Sequence, residues 1–162
     1  MKIRFIFLGL AMMLTVSQLA AQESKFKALF IYKFAEYIEW PGGLSKVTVG
    51  IAGTSDVFTE LSNFAASKDN IEVIKISSPA DAGKCQIIFL PKSESSKVGS
   101  YDQKIGGTSV LLISDDQSMA GKGADIGFYT EGGKLRFLIS EGNIRDKKMI
   151  PNSKLLVLGK AI

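Results

Sequence analysis

Histidine is absent from the 162-residue chain, and cysteine occurs once, at Cys85. The first fact removes His-based triads, the commonest general base and the commonest zinc ligand. Chemistry must therefore be sought among carboxylates, hydroxyls and cations. Asp115 and Asp116 stand together, with Glu141 downstream. They lack the glycine-bearing spacing of a calcium loop and read as helix N-caps and solvated loop residues. Gly53, Thr54 and Ser55 place a glycine turn before a helix start, where backbone N–H groups can hold an anion. The dinucleotide spacing and the phosphate-loop lysine are both missing there, so a plain N-cap by Thr54 or Ser55 is the simpler reading.

Arg136 sits between Leu135 and Phe137 in a strand, on the face opposite Phe137. An arginine amid apolar neighbours pairs with a carboxylate or grips a ligand. Asp115, Asp116 and Asp125 are its candidate partners, and recognition of an anion or a partner protein is the alternative. Trp40, followed by Pro41, is either a recognition anchor or the edge of a core. Lys33 and Asp115 join Trp40 and Arg136 as candidate contacts for a partner or ligand. No motif for nucleophilic, metal or phosphoryl chemistry is present, which points to a protein that is not an enzyme and needs no cofactor.

The elements that must position these residues begin with a helix. Ser24 is a candidate N-cap, and Lys25 to Trp40 runs without Gly or Pro until Pro41-Gly42-Gly43. Phe26, Phe30, Phe34 and Tyr37 recur at helical spacing, with Leu29 and Ile38 widening the stripe. Ile31 and Ala35 lie on another side, so such a helix is buried on two sides or meets a partner. Lys25, Lys27, Lys33, Glu36 and Glu39 are left to face water.

Short apolar runs follow. Val47–Ala52, Ile71–Ile76, Gln86–Leu90 and Ser109–Ile113 read as strands, the last two covered on both faces. Helical stretches at 57–66 and 93–105 separate them, with single turns near Pro79 and at 115–120. Ile126–Thr130 and Lys134–Ile139 flank Glu131-Gly132-Gly133 as a hairpin. A short helix over 141–149 and a strand or helix over 152–158 close the chain. The pattern predicts an α/β fold: a mostly parallel sheet, helices on both faces and an antiparallel hairpin at one edge.

The N-terminus carries a different signal. Lys2 and Arg4 precede the uncharged run Ile6–Val16, and small residues end it at Ala20-Ala21. These are the parts of a secretory signal peptide cleaved near Ala21, and the run is short of the roughly 20 residues a membrane span needs. Residues 1–21 are thus read as a leader and 22–162 as one domain, working outside the cytoplasm. Losing Lys2 and Arg4 lowers the net charge from +4 to +2. Basic residues form no block, which argues against nucleic-acid binding. A lone Cys85 cannot staple an exported chain and reads as a small buried hydrophobe.

Several segments in order resemble the YfiR family of small periplasmic proteins. The opening helix Lys27-Ala-Leu-Phe-Ile-Tyr-Lys-Phe-Ala-Glu-Tyr-Ile-Glu-Trp-Pro41 is similar to that family's first helix and its Trp-Pro stop. Val49-Gly-Ile-Ala-Gly53, Cys85-Gln-Ile-Ile-Phe-Leu90, Gly107-Thr-Ser-Val-Leu-Leu-Ile-Ser-Asp115, Gly132-Gly-Lys-Leu-Arg-Phe137 and Ser153-Lys-Leu-Leu156 continue the match. The resemblance implies a repressor of a membrane-bound diguanylate cyclase, acting through cyclic di-GMP on biofilm formation, or a sensor coupled to a histidine kinase. Its partner is then the extracytoplasmic part of an inner-membrane signalling protein, with a small-molecule ligand and a homodimer through the first helix as further expectations. Gly123-Ala-Asp-Ile126 and Leu138-Ile-Ser140 depart from the family pattern. Some members carry redox-responsive cysteine pairs, and Cys85 has no partner for that. A free-standing module for a small anion is the alternative.

Overall fold

The computed structural model describes residues 21–162. The leader reading falls outside the described residues except for Ala21. Residues 21–37 are helical (α1), running unbroken through Ser24, which is therefore not the cap expected there. The helix stops before Trp40 because Ile38–Glu39 (β1) is claimed by antiparallel pairing with Ile150–Pro151 (β8). This tertiary pairing overrides local propensity.

The main sheet takes Val47–Ala52 (β2), Ile71–Ile76 (β3), Ile87–Leu90 (β4), Leu111–Ser114 (β5), Ile126–Glu131 (β6), Lys134–Ile139 (β7) and Lys160–Ala161 (β9). Their order is β3-β2-β4-β5-β6-β7-β9. Neighbours are parallel except for the β6–β7 hairpin. The hairpin turns on Gly132 and Gly133, at φ 57° and 73°, the two left-handed residues that a tight two-residue connection demands. The closing segment left open as strand or helix over 152–158 is helical, and the short β9, which the sequence pattern did not signal, lies outside β7 and closes that side. It follows Ser153–Leu158 (α5), a helix capped by Asn152, whose side chain accepts from Lys154 N.

Alternation along the strands builds two cores. Ile87, Phe89, Leu111 and Ile113 face one way, where α1 and Asp56–Ala65 (α2) cover them. Ile88, Leu90 and Leu112 face the other, under Val98–Ile105 (α3) and a 3-10 helix at Pro79–Lys84. Glu141–Asp146 (α4) adds Ile144 to the first core. The helix expected over 93–105 is in fact a 3-10 segment, Lys92–Lys97, leading into α3.

The first core centres on aromatic rings. Phe34 of α1 is fully buried, 5.0 Å edge-on from Phe137 and 6.0 Å stacked on Phe128. Phe30 meets Phe137 at 5.4 Å. Such pairs add about 0.5–1.5 kcal/mol each beyond area burial. In the second core Cys85 is 2% exposed and packs over Gly50, where an added Cβ would lie 2.6 Å from its Sγ. Burial pushes the Cys85 thiol up to about 11.

Two outcomes are expected. Phe34→Ala should cost about 3–5 kcal/mol, read from the midpoint of chemical unfolding; an unchanged midpoint would remove Phe34 from the core. The Cys85 thiol should resist an aromatic disulfide reagent at pH 8 and react only in denaturant, because the thiolate is the nucleophile. Rapid labelling of the native protein would contradict this burial.

Candidate functional site

Lys27 was expected to face water, yet it is 8% exposed and ion-paired. Its Nζ lies 2.7 Å from Asp115 Oδ1 and 2.5 Å from Glu23 Oε1. Glu23 and Lys27 are one helical turn apart, with the glutamate N-terminal, the favourable order on a helix face. Asp115 leaves the carboxyl end of β5, so the pair ties the start of α1 to the top of the parallel sheet. Burial raises the Asp115 carboxyl pKa and outweighs the pull of Lys27. Burial alone would lower the Lys27 pKa, but its bonds to Asp115 and Glu23 carry it above the ordinary value.

A cleft opens on either side of this pair. Its apolar lobe, about 390 Å³, lies between α1 and the hairpin and is walled by Phe26, Phe30 and Leu135. Its polar lobe, about 270 Å³, is lined by Lys27, Lys92, Asp115, Asp116 and Tyr129. Glu23, Thr130 and Leu135 border both lobes, which therefore lie side by side. Phe26 is 46% exposed and Leu29 37% exposed, a strongly apolar surface to leave in water.

The other predicted residues are dispersed. Arg136 is exposed, sits opposite Tyr129 across the hairpin and makes no ion pair among the described residues. The expected carboxylate partners are engaged elsewhere. Asp115 holds Lys27, Asp116 caps the 3-10 turn at Gln117–Met119, and Asp125 binds Lys147 at 2.7 Å. Lys33 bonds Glu36 at 2.7 Å and lies 5.5 Å over the rings of Tyr32 and Tyr37. Trp40 is 8% exposed, at the far end of α1 from the cleft. Ser55 caps α2 by accepting from Val57 N, while Gly53 stands against the Glu94 side chain. A carboxylate at that turn opposes an anion, so the capping reading holds there.

Two ion pairs escaped sequence reasoning. Lys27 lies on a helix whose other lysines are solvated, and nothing local marks it as buried. Asp125 is wholly buried and also accepts from Leu112 N at 2.8 Å. Burial raises its carboxyl pKa, against the pull of Lys147. Only the apolar neighbours on either side of Asp125 hint at such a position.

No cluster of three or more metal-ligating side chains occurs among the described residues. No described helix is long and apolar enough to cross a membrane. A mostly parallel sheet covered on both faces, with a cleft over the carboxyl ends of its strands, makes this an α/β protein. The YfiR/HmsC-like family model matches residues 24–160, and the chain belongs to that family. No curated protein matches the chain.

Asp115→Ala is expected to destabilise the fold by about 3 kcal/mol, the lower end for breaking a buried pair, since Glu23 stays on Lys27. Equilibrium unfolding measures this. A loss of about 0.5 kcal/mol or less, the size of a surface-pair effect, would place the pair in bulk solvent.

Proposed function

We propose that the protein is an exported, non-catalytic regulator that binds the extracytoplasmic part of an inner-membrane signalling enzyme and represses it. Membership of the YfiR/HmsC-like family favours a diguanylate cyclase as that enzyme, with cyclic di-GMP and biofilm formation as the output. The observation that carries the binding reading is the cleft at the start of α1, where Phe26 stays exposed near the Lys27–Asp115 pair. Aromatic anchors entering or forming such clefts dominate interface energetics. Arg136, exposed and without a carboxylate partner among the described residues, offers a partner a cation on the other face of the hairpin from the cleft. The free-standing anion module is the weaker reading, because in the polar lobe the carboxylates Asp115, Asp116 and Glu23 outnumber the cations Lys27 and Lys92, and the glycine turn faces Glu94.

The test is cyclic di-GMP in the native cell. Deleting the gene should raise it, and the wild-type gene should restore it. Phe26→Asp and Arg136→Ala should fail to restore it while melting like the wild type, since both positions are exposed. Cyclic di-GMP unmoved by the deletion would reject a cyclase as the partner. Full restoration by Phe26→Asp would reject the cleft.

A further inference from the structure

At the opposite end of α1, Ala35 through Trp40 form one wall of a second groove, of about 800 Å³. Six consecutive residues along one wall mean that the main chain itself, as well as side chains, borders the groove. Part of that wall is β1, which has a single neighbour. Asn152 N donates to Tyr37 O at 2.8 Å, and Pro151, opposite Ile38, has no N–H to give. The alternation of an antiparallel ladder then turns the Ile38 carbonyl away from β8.

Trp40 adds an anomaly. Its Nε1 is the one buried side-chain polar atom without a hydrogen-bond partner among the described residues. A buried donor left unmatched destabilises the free protein, and an acceptor that arrives on binding recovers the loss. The facing wall includes Gly43 and Leu44. Residues 41–46 are all exposed, and nothing stands within 4 Å of the positions a Cβ would take at Gly42 or Gly43. An acceptor reaches Nε1 only if this exposed turn, tied to Trp40 O by Gly43 N at 3.2 Å, moves aside. The charged residues lining the groove are Glu36 and Glu39. Glu36 is held by Lys33, while Glu39 is exposed and makes no ion pair among the described residues.

We propose that this groove takes an extended polypeptide segment of the regulator's membrane partner. The segment lengthens the β1–β8 ribbon at the free edge of β1, donating a main-chain N–H to the Ile38 carbonyl. One of its carbonyls accepts from Trp40 Nε1, and a basic side chain sits on Glu39. Main-chain bonds of this kind give affinity, and the flanking charge gives selectivity. The inference rests on the regulatory reading for the identity of the partner, but its chemistry is testable without one.

The chain has one tryptophan, so its indole N–H gives one resonance in a nitrogen-correlated NMR spectrum. The probes are end-capped Val-Lys-Val-Lys-Val and Val-Glu-Val-Glu-Val peptides, titrated into the labelled exported protein. The lysine peptide should move the indole resonance downfield, saturably, and the glutamate peptide should bind at least about tenfold more weakly. Trp40→Phe should melt no lower than the wild type and bind the lysine peptide about tenfold more weakly, the loss of one hydrogen bond. Glu39→Gln, at an exposed position, should weaken the lysine peptide alone. An indole resonance unmoved by either peptide, equal binding of the two, or unchanged affinity in Trp40→Phe each overturns the proposal. Such a failure with repression of cyclic di-GMP intact rejects this groove and leaves the regulatory reading standing.

Discussion

The packing of α1 against the sheet, through Phe30 and Phe34 on Phe128 and Phe137, is the contact on which the rest of the molecule depends. A sheet whose inner strands are apolar on both faces must be covered on both faces. On the first face α2 reaches only part of that surface, through Val57 and Leu61. Without α1, the rings of the β6–β7 hairpin would lie in water. The hairpin and α1 therefore stabilise each other, and the cleft between them exists only while both are in place. No disulfide assists, because Cys85 is alone and buried. Ring packing and buried area must supply what cross-links supply in many small exported domains.

The buried ion pair fixes where α1 sits. Apolar packing is non-directional and tolerates sliding along a sheet. Lys27 bound to Asp115 at 2.7 Å tolerates little. A buried pair of this kind adds modest net stability compared with an apolar substitute of the same shape, yet a mispositioned helix would leave both charges stranded. The pair at Asp125 and Lys147 plays the matching part at the opposite end of β5 and β6, where it anchors the chain after α4. One ion pair holds each end of the sheet, and the aromatic layer lies between them.

Much of this order was legible in the sequence, and the parts that were not share a cause. The parallel strands were readable because doubly buried runs such as Ile87–Leu90 have no other use, and the hairpin because Gly132-Gly133 has few. The YfiR-like resemblance matched the family that covers residues 24–160. What local pattern could not convey was pairing at a distance. Ile38–Glu39 leaves the helical state for a strand because Ile150–Pro151, more than a hundred residues away in sequence, lies beside it. Lys27 carries the same side chain as the solvated lysines around it and differs only in meeting Asp115. Arg136 was correctly set opposite Phe137, but a strand's alternation says which face a residue takes and nothing about what stands there.

The same limits explain how the exposed apolar surface of α1 is distributed. A helix apolar on nearly every side has one face for the sheet and further apolar surface with no internal claimant. That excess emerges at Phe26 and Leu29 near the start, where Phe26 walls the cleft beside the hairpin. At the finish, the helix gives way to a strand with one free edge beside Trp40. Because the segment between is locked by Phe34 and by Lys27, the two ends cannot move independently. A partner engaging both would meet a rigid ruler, with spacing set by the helical rise of about 1.5 Å per residue. A partner engaging only one would transmit strain through the helix to the aromatic layer. Under the proposed function, α1 would then link the contact surface to the core.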